Sequence, residues 1–344
     1  MTNNNTHHIF TGNNALFDYL TPGSCGPLPL VELPQSLNPF TKDKVRIFVK
    51  LMNQLPLTNI KSIPARNMLD SLPLEQVNSI KHLVEYSSGN TVLSLTILAQ
   101  YFGIPHTHAL ITPDVPEYKK RILQLVGTQL LITDGPSSPG VYDTVGGIWN
   151  AQQLGKKRGW HNFNQYTTPA NPNGSEKYIA AELWKQLGKN ISVIVNSIGT
   201  SGTIYGLGRF FKNKNKKIQV VGISIKDGSS IPGPRGEIAV KKLAFPWQQV
   251  VDKEIPITTK PAYALALKMI RLGLFVGPST GMQLAGIYSY IKSRKQAGNL
   301  NELRNTTGTI DIVFLAGDTM YPYVEDFFKH LPPEDFPQVQ DLEQ

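Results

Sequence analysis

The chain has 344 residues, 40% of them hydrophobic, so it can bury a sizeable core in one large or two medium domains. Its 29 glycines and 25 prolines are too few for a low-complexity or collagen-like chain, which excludes disordered and fibrous proteins. The formal net charge is +9, but only the run 212–217 is densely basic and it lacks interleaved aromatic residues, so we predict no nucleic-acid partner.

The N-terminal segment 1–14 is polar and rich in Asn and Thr, and it lacks the basic start and the apolar stretch of a signal peptide. No later run approaches the ~18 apolar residues of a membrane span. The single cysteine, Cys25, cannot form an internal disulfide, which is typical of a reducing compartment, and a secreted protein without disulfides is the alternative. We therefore expect a cytoplasmic protein that does not contact a membrane.

Short β-branched runs alternate with amphipathic helical patterns along the chain. Strands are predicted at 45–51, 106–112, 129–133, 191–197, 218–224 and 311–315. Helices are predicted at 91–102, 116–126, 175–187 and 203–212. Strand, helix and strand in repetition predict an α/β fold with parallel sheets covered on both faces, and the active site of such a fold lies at the carboxyl ends of the strands.

Lys61 ends the stretch Leu55-Pro56-Leu57-Thr58-Asn59-Ile60-Lys61 and precedes the apolar positions Met68 and Leu69 of a further helical pattern. An isolated lysine is normally a solvated side chain. Its importance therefore depends on two loops that follow it.

The polar loop, Ser87-Ser88-Gly89-Asn90-Thr91, lies between the end of an apolar strand at Leu83-Val84 and the start of a helix. A plain helix cap requires only one such residue. Several small polar side chains together with free amides at a helix N-terminus suit a bound carboxylate. The sequence therefore predicts a carboxylate-binding loop, with a simple cap as the alternative.

The glycine loop, Gly199-Thr200-Ser201-Gly202-Thr203, follows another apolar strand and opens the next helix. Unpaired backbone N–H groups at a helix start, with glycines that permit close approach, form a cradle for a phosphate. The spacing differs from GxGxxG and lacks the lysine of a Walker loop, so a phosphate is indicated but not a nucleotide. A tight strand-to-helix turn would need the same small residues and is the alternative.

Lys61, the polar loop and the glycine loop, in this order, resemble the pyridoxal-phosphate enzymes of the cysteine synthase and cystathionine β-synthase group, with the tryptophan-synthase-β-like fold (fold type II). In that family an Asn-Pro-x-x-Ser-x-Lys pattern carries the Schiff-base lysine, and Pro56 and Lys61 match its Pro-to-Lys spacing. The two loops correspond to the family's Thr-Ser-Gly-Asn-Thr and Gly-Thr-Gly-Gly-Thr segments. Further matches are Asn67-Met68, Gln165-Tyr166, Ala170-Asn171-Pro172 and Val276-Gly277-Pro278-Ser279-Thr280-Gly281.

Some positions depart from the family pattern. Ile63 stands where the family has an arginine two residues after the lysine, and Ser87 replaces the first threonine of the substrate loop. The segments 173–177 and 317–321 replace the family's Thr-Thr-Gly-Pro-Glu and Ser-Gly-Glu-Arg-Tyr. The cofactor half of the pattern is kept better than the substrate half.

The resemblance implies pyridoxal 5'-phosphate as cofactor, with Lys61 as the Schiff-base lysine and catalytic base. Asn90 would bind the ring hydroxyl, and Ser279 would face the pyridine nitrogen, or Thr280 if the alignment slips by one residue. The implied cofactor-binding residues are Lys61, Asn90, Gly199, Thr200, Ser201, Gly202, Thr203 and Ser279. The implied substrate-binding residues are Ser87, Ser88, Gly89, Thr91 and Gln165. No metal site is expected.

The resemblance also implies β-replacement on serine or an O-activated serine, such as O-acetylserine or O-phosphoserine, through an aminoacrylate and with a small nucleophile. The alternatives are β-elimination, as in a dehydratase or desulfhydrase, and a non-catalytic cofactor-binding paralogue. A homodimer is expected by the same resemblance. We predict a two-domain fold of mostly parallel twisted sheets flanked by helices, with residues 1–64 and 166–330 forming a larger cofactor domain, 65–165 a smaller mobile domain and 331–344 a peripheral tail.

Overall fold

The computed structural model describes residues 8–340, so the first seven residues of the N-terminal segment and the last four of the predicted tail lie outside the described residues. Two sheets organise the described chain. Their strands are β1 Leu30–Glu32, β2 Val45–Lys50, β3 His82–Tyr86, β4 His106–Ile111, β5 Gln129–Ile132, β6 Trp160–His161, β7 Ile191–Ser197, β8 Gln219–Ile225, β9 Lys253–Ile257 and β10 Ile310–Leu315.

Helices connect these strands and cover the sheets. They are α1 Ala15–Tyr19, α2 Ser62–Asp70, α3 Leu74–Ser79, α4 Asn90–Tyr101, α5 Glu117–Leu125, α6 Gly147–Gly155, α7 Ala170–Gly174, α8 Ala181–Leu187, α9 Gly202–Lys214, α10 Thr259–Arg271, α11 Pro278–Gln296 and α12 Val324–His330. A π-helical turn, Ser175–Ala180, joins α7 to α8. No helix within residues 8–340 is both long enough and apolar enough to cross a membrane.

The first sheet has six strands in the order β1-β2-β10-β7-β8-β9, and the second has four in the order β5-β4-β3-β6. β1 runs antiparallel to β2, and the remaining neighbours in both sheets are parallel. The registers place Ile312 beside Ile47 in the first sheet and His82 beside His106 in the second. Parallel pairing brings the carboxyl ends of neighbouring strands to one edge of each sheet.

Neighbouring residues of the central strands pack into different cores, because side chains alternate across a sheet. In β7, Val193 and Val195 join the core that contains Met282 of α11, whereas Ile194 joins the core that contains Leu207 of α9. Both faces of the first sheet are therefore covered, as a nearly continuous apolar strand requires. The predicted fold class is confirmed.

The boundaries differ from the prediction in two informative places. The helix predicted to begin at Ser175 begins five residues earlier in the chain, at Ala170, because Pro172 fits the first turn of a helix, where no N–H partner is needed. β9 was not predicted, since Pro256 lies within it; the strand is at the edge of its sheet, where proline is tolerated. The division into a larger domain, a smaller domain and a tail stays a prediction.

Candidate active site

A cavity of about 600 Å³ opens at the carboxyl ends of β3, β4, β7 and β10. Ser87 after β3, Thr112 after β4, Ser197 at the end of β7 and Gly317 after β10 contribute to its wall. α4, α9 and α11 each begin at or beside this wall. Their positive N-terminal ends favour anionic groups in the cavity.

Lys61 immediately precedes α2 and lines the cavity. Burial lowers the pKa of its amine to about 8, and the negative charge of Asp318 partly opposes this shift. Within residues 8–340 the amine makes no hydrogen bond or ion pair. A Cβ atom added at Gly199 would lie 4.0 Å from Lys61 Nζ, so the glycine loop passes directly beside the lysine.

The polar loop connects β3 to α4, and two contacts fix its end. The hydroxyl of Thr91 donates a hydrogen bond of 2.8 Å to Gln165 Oε1, and the amide of Gln165 donates one of 3.2 Å to the carbonyl of Tyr86. The Asn90 amide donates a bond of 2.8 Å to Asp318 Oδ2. Ser87 and Ser88 are partly exposed on the cavity wall.

The glycine loop connects β7 to α9 in a compact turn. Ser201 has a φ of 64°, in the left-handed region, and Asn171 donates a hydrogen bond of 3.0 Å to Thr200 Oγ1. Gly202 packs against Asn171, because a Cβ atom there would come within 2.3 Å of that side chain. The loop therefore needs small residues both for its turn and for close packing.

Ser279 and Thr280 occupy different environments at the start of α11. Ser279 lines the cavity, whereas Thr280 is fully buried and its hydroxyl has no partner within the described residues. A cofactor in the cavity would therefore meet Ser279. The assignment of Ser279 to the pyridine nitrogen stays a prediction.

The structure brings nearly every predicted site residue to the same cavity. Lys61, the polar loop, Gln165, Ser279 and the glycine loop line it, except for Gly202, which lies behind the wall against Asn171. Within residues 8–340, no group of three or more His, Cys, Asp or Glu residues is arranged to hold a metal ion.

Sequence reasoning missed Asp318, which it treated only as a departure from the family pattern. This residue is 8% exposed and accepts hydrogen bonds from Asn90 and from the hydroxyl of Tyr323, at 2.6 Å. Burial raises the pKa of its carboxyl, while the two hydrogen bonds and the charges of Lys119 and Lys61 oppose the shift. A usable signal was present, since an acidic residue shortly after a buried parallel strand is expected at the active edge of the sheet.

Arg235 is a further charged residue of the cavity wall. Arg235 is 6% exposed, donates a hydrogen bond of 2.7 Å to the carbonyl of Pro139 and lies 4.9 Å from the ring centre of Tyr166. Arg209 is instead paired with Glu176 and is not part of the cavity wall. The structure therefore separates the two arginines.

The chain is similar to known proteins over most of its length. The family described as "Pyridoxal-phosphate dependent enzyme" matches residues 22–305. The cysteine synthase of Aquifex aeolicus is 29% identical over 304 residues, which cover 86% of this chain and 88% of that protein. The cysteine synthase B of Pseudomonas aeruginosa is 31% identical over 274 residues, with coverages of 78% and 88%.

Among solved structures, that of O-ureido-L-serine synthase superposes with a TM-score of 0.73 at 21% identity, over 89% of this chain and 93% of the other. This likeness concerns the fold. The family match and the identity to cysteine synthases place this chain among the pyridoxal-phosphate-dependent enzymes, in the cysteine synthase and cystathionine β-synthase group.

Proposed function

We propose that this chain catalyses pyridoxal-phosphate-dependent β-replacement, in which the O-linked group of an activated serine is exchanged for a small nucleophile such as sulfide. The convergence of Lys61, the polar loop and the glycine loop on one cavity carries the proposal. The relatives named cysteine synthase support the reaction type.

The residues of the cavity fit pyridoxal phosphate. Lys61 offers an amine without a protein partner, and its lowered pKa of about 8 leaves more of it neutral and nucleophilic than in an exposed lysine. The glycine loop offers backbone N–H groups and a helix N-terminus to a phosphate. Lys61, Asn90, the glycine loop and Ser279 would hold the cofactor.

When bound, pyridoxal phosphate supplies an electron sink that acidifies the α-hydrogen of an attached amino acid. The protein must then move that proton. Lys61 is the base suited to this step, because near pH 8 its amine is shared between the neutral form, which accepts a proton, and the charged form, which returns one. The Lys61 Nζ is also among the atoms nearest to Gly199 of the glycine loop.

The polar loop would bind the substrate carboxylate. Because the hydroxyl of Thr91 is already donated to Gln165, the donors left for a carboxylate are the backbone N–H groups at the start of α4 and the hydroxyls of Ser87 and Ser88. Thr91 and Gln165 would then act by holding the loop in shape. Asn90 would connect the loop to the cofactor.

Arg235 favours a substrate whose activating group is an anion, as in O-phosphoserine. Its guanidinium is buried in the cavity wall, and its N–H groups other than those on Nη1 have no partner within residues 8–340. A planar guanidinium with free N–H groups binds phosphate in a bidentate manner. A neutral activating group such as acetyl would leave this charge unpaired.

The test is a panel of serine, O-acetylserine, O-phosphoserine and cysteine, each with and without sulfide, with amino-acid products identified by mass spectrometry. We expect a β-replaced product with O-phosphoserine and sulfide. Arg235→Met should raise the KM for O-phosphoserine about 10- to 100-fold and leave O-acetylserine nearly unaffected, which controls for damage to the fold. Pyruvate as the main product with sulfide present would identify β-elimination, and no reaction of any serine derivative would identify a binding protein.

We also propose that the enzyme is a cytoplasmic homodimer whose smaller domain, 65–165, moves against 1–64 and 166–330 when substrate binds. The Asn90–Asp318 contact joins these two parts across the cavity and supports the idea that their spacing matters. Light scattering would give the oligomeric state, cell fractionation the compartment, and small-angle scattering with and without substrate the movement.

A further inference from the structure

Asp318 lies where three parts of the cavity meet. The N–H of Ile60, next to Lys61, donates a hydrogen bond of 2.7 Å to the carbonyl of Gly317. The N–H of Gly277, at the start of α11, donates one of 3.1 Å to the carbonyl of Asp318 itself. The backbone at this point is therefore fixed from two sides.

The side chain of Asp318 is fixed as well. Its Oδ2 accepts hydrogen bonds from Asn90, at 2.8 Å, and from Tyr323, at 2.6 Å. Its Oδ1 is buried and has no partner within the described residues. A Cβ atom at Gly277 would come within 2.2 Å of Oδ1, so the missing side chain at Gly277 leaves the room that this carboxylate needs.

Burial raises the pKa of the Asp318 carboxyl, and its surroundings oppose that shift. The positive charges of Lys119 and Lys61 act against the rise in its pKa. The two donors, Asn90 and Tyr323, act in the same direction, because hydrogen bonds to the charged form favour it. In return, the carboxylate acts on Lys61 and opposes the fall in the pKa of its amine.

We propose that Asp318 is a positioning residue for the reaction, whose carboxylate holds the amide of Asn90 and supplies the negative charge that faces the amine of Lys61. The importance of Lys61 and Asn90 rests on the proposed function. The contacts themselves join protein atoms only and are tested without the cofactor. Asp318 thus links the proton-transferring lysine to the loop that receives the substrate.

The test measures the protonation of Lys61 in the full-length protein after removal of cofactor. Brief reductive methylation with formaldehyde at a series of pH values, read at the Lys61 peptide by mass spectrometry, gives the midpoint at which the amine becomes reactive. Wild type is expected near pH 8. Asp318→Asn keeps the shape and removes the charge, so the midpoint should fall by about one pH unit, and labelling at pH 6 should rise about tenfold.

Asp326→Asn is the matched control, because Asp326 is another carboxylate of the same cavity and accepts the hydroxyl of Tyr118 at 2.8 Å. This variant should leave the Lys61 midpoint unchanged. Gly277→Ala is a second test that keeps every titrating group but displaces the Asp318 carboxylate, and it should lower the midpoint by a smaller amount.

An unchanged midpoint in folded Asp318→Asn protein, judged by circular dichroism, would overturn the proposal. If that variant does not fold, an unchanged midpoint in Gly277→Ala would do so. A shifted midpoint supports the assignment even if no serine derivative reacts, in which case only the proposed function fails. The two failures are therefore distinguishable.

Discussion

The two ends of the four-stranded sheet both carry polar side chains, but the chain arranges them differently. At the carboxyl end, the polar loop presents Ser87, Ser88 and Asn90 to a cavity, with hydroxyls and N–H groups left open to it. At the amino end, the rings of His82, His106, His108 and Trp160 form a cluster. None of these four residues lines the cavity.

The rings at the amino end contact and cover one another, although His108 Nδ1 is buried without a hydrogen-bond partner among the described residues. His82 Nδ1 and His108 Nε2 are 3.0 Å apart and share a hydrogen bond. The rings of His82 and His108 stack on Trp160 with centroid distances of 4.5 and 4.6 Å. Burial, together with the neighbouring imidazoles, lowers the pKa of His108 to about 4.

The comparison teaches that polar composition alone does not mark a site. The groups at the carboxyl end are held in place but keep free donors, which suits binding. The groups at the amino end pack on one another outside the cavity, which suits stability. Substitutions at the first end should change chemistry, and those at the second should change the free energy of unfolding.

The largest effect is expected for Lys61→Ala, which removes the amine that faces the cavity. Turnover of an activated serine with sulfide should fall at least about 10⁴-fold, because both the covalent link to the cofactor and the base are lost. Lys119→Ala, at another lysine of the cavity, is the control and should retain the cofactor link. Borohydride reduction of wild-type holoenzyme that labels Lys119 instead of Lys61 would refute this assignment.

Asn90→Ala should have the next largest effect. It removes the amide that connects the polar loop to Asp318, so kcat should fall about 10- to 100-fold while the cofactor stays bound. Cofactor absorbance and steady-state kinetics measure the two quantities separately. Asn150→Ala, which removes an amide bonded to Thr133 elsewhere in the same part of the chain, should change kcat little. Equal turnover in the Asn90 variant and wild type would mean that the loop has no role in the reaction.

Ser279→Asp should change the kind of product more than the rate of reaction. A carboxylate beside the ring nitrogen would keep it protonated and stabilise a carbanion, so racemisation should increase while β-replacement falls by about tenfold. Chiral chromatography of the recovered amino acid measures the change. Thr280→Val, at the buried neighbour outside the cavity, is the control. Wild-type protein that mainly racemises its substrate would contradict the role assigned to Ser279.

The smallest effect is expected at the amino end, from the titration of His108. Its pKa in the folded chain, about 4, is below the ordinary value of 6.5, so the unfolded chain takes up the proton first as the pH falls. The stability that the neutral His108 contributes is fully present above about pH 6.5 and is progressively lost as the pH falls to about 4. After allowance for solvent screening, we expect the free energy of unfolding at pH 5 to be lower by about 1 kcal/mol, which lowers Tm by about 2 °C.

His108→Phe tests this interpretation, because it keeps a ring between His82 and Trp160 but removes the titrating group. The difference in Tm between pH 7 and pH 5 should become smaller in the variant, with His161 and the other histidines still contributing. Turnover at pH 7 should be unchanged. A variant that loses turnover but keeps the acid sensitivity would reverse the division of roles between the two ends of the sheet.

Much of the fold and of the site could be predicted because local pattern and topology agree. Short strands that end in small polar residues, followed by helices, place the polar loop and the glycine loop each at the carboxyl edge of its own sheet. Pairs set by distant parts of the chain could not be predicted. Asn90 and Asp318 are 228 residues apart, and only the assembled sheets bring them together.

Other differences have equally local causes. β9 was missed because Pro256 is tolerated only where the strand lies at an edge, and edge position is a property of the whole sheet. The histidine stack was missed because His82, His106 and Trp160 are single residues at the starts of three strands, and the parallel register alone aligns them. Gly202 also packs against Asn171, which the sequence did not reveal, and its role in holding the phosphate stays a prediction.

Ser201 has a consequence for the unbound protein. Its left-handed φ of 64° costs about 1–2 kcal/mol relative to an ordinary conformation, a cost that a glycine, as in the family pattern, would avoid. A serine, however, has fewer conformations available in the unfolded chain, so the loop loses less entropy when it folds. The hydroxyl of Ser201 also donates a hydrogen bond of 2.6 Å to the carbonyl of Thr200, which stabilises the turn. We therefore expect the glycine loop to be preorganised, so that little of the free energy of binding a phosphate would be spent on ordering it.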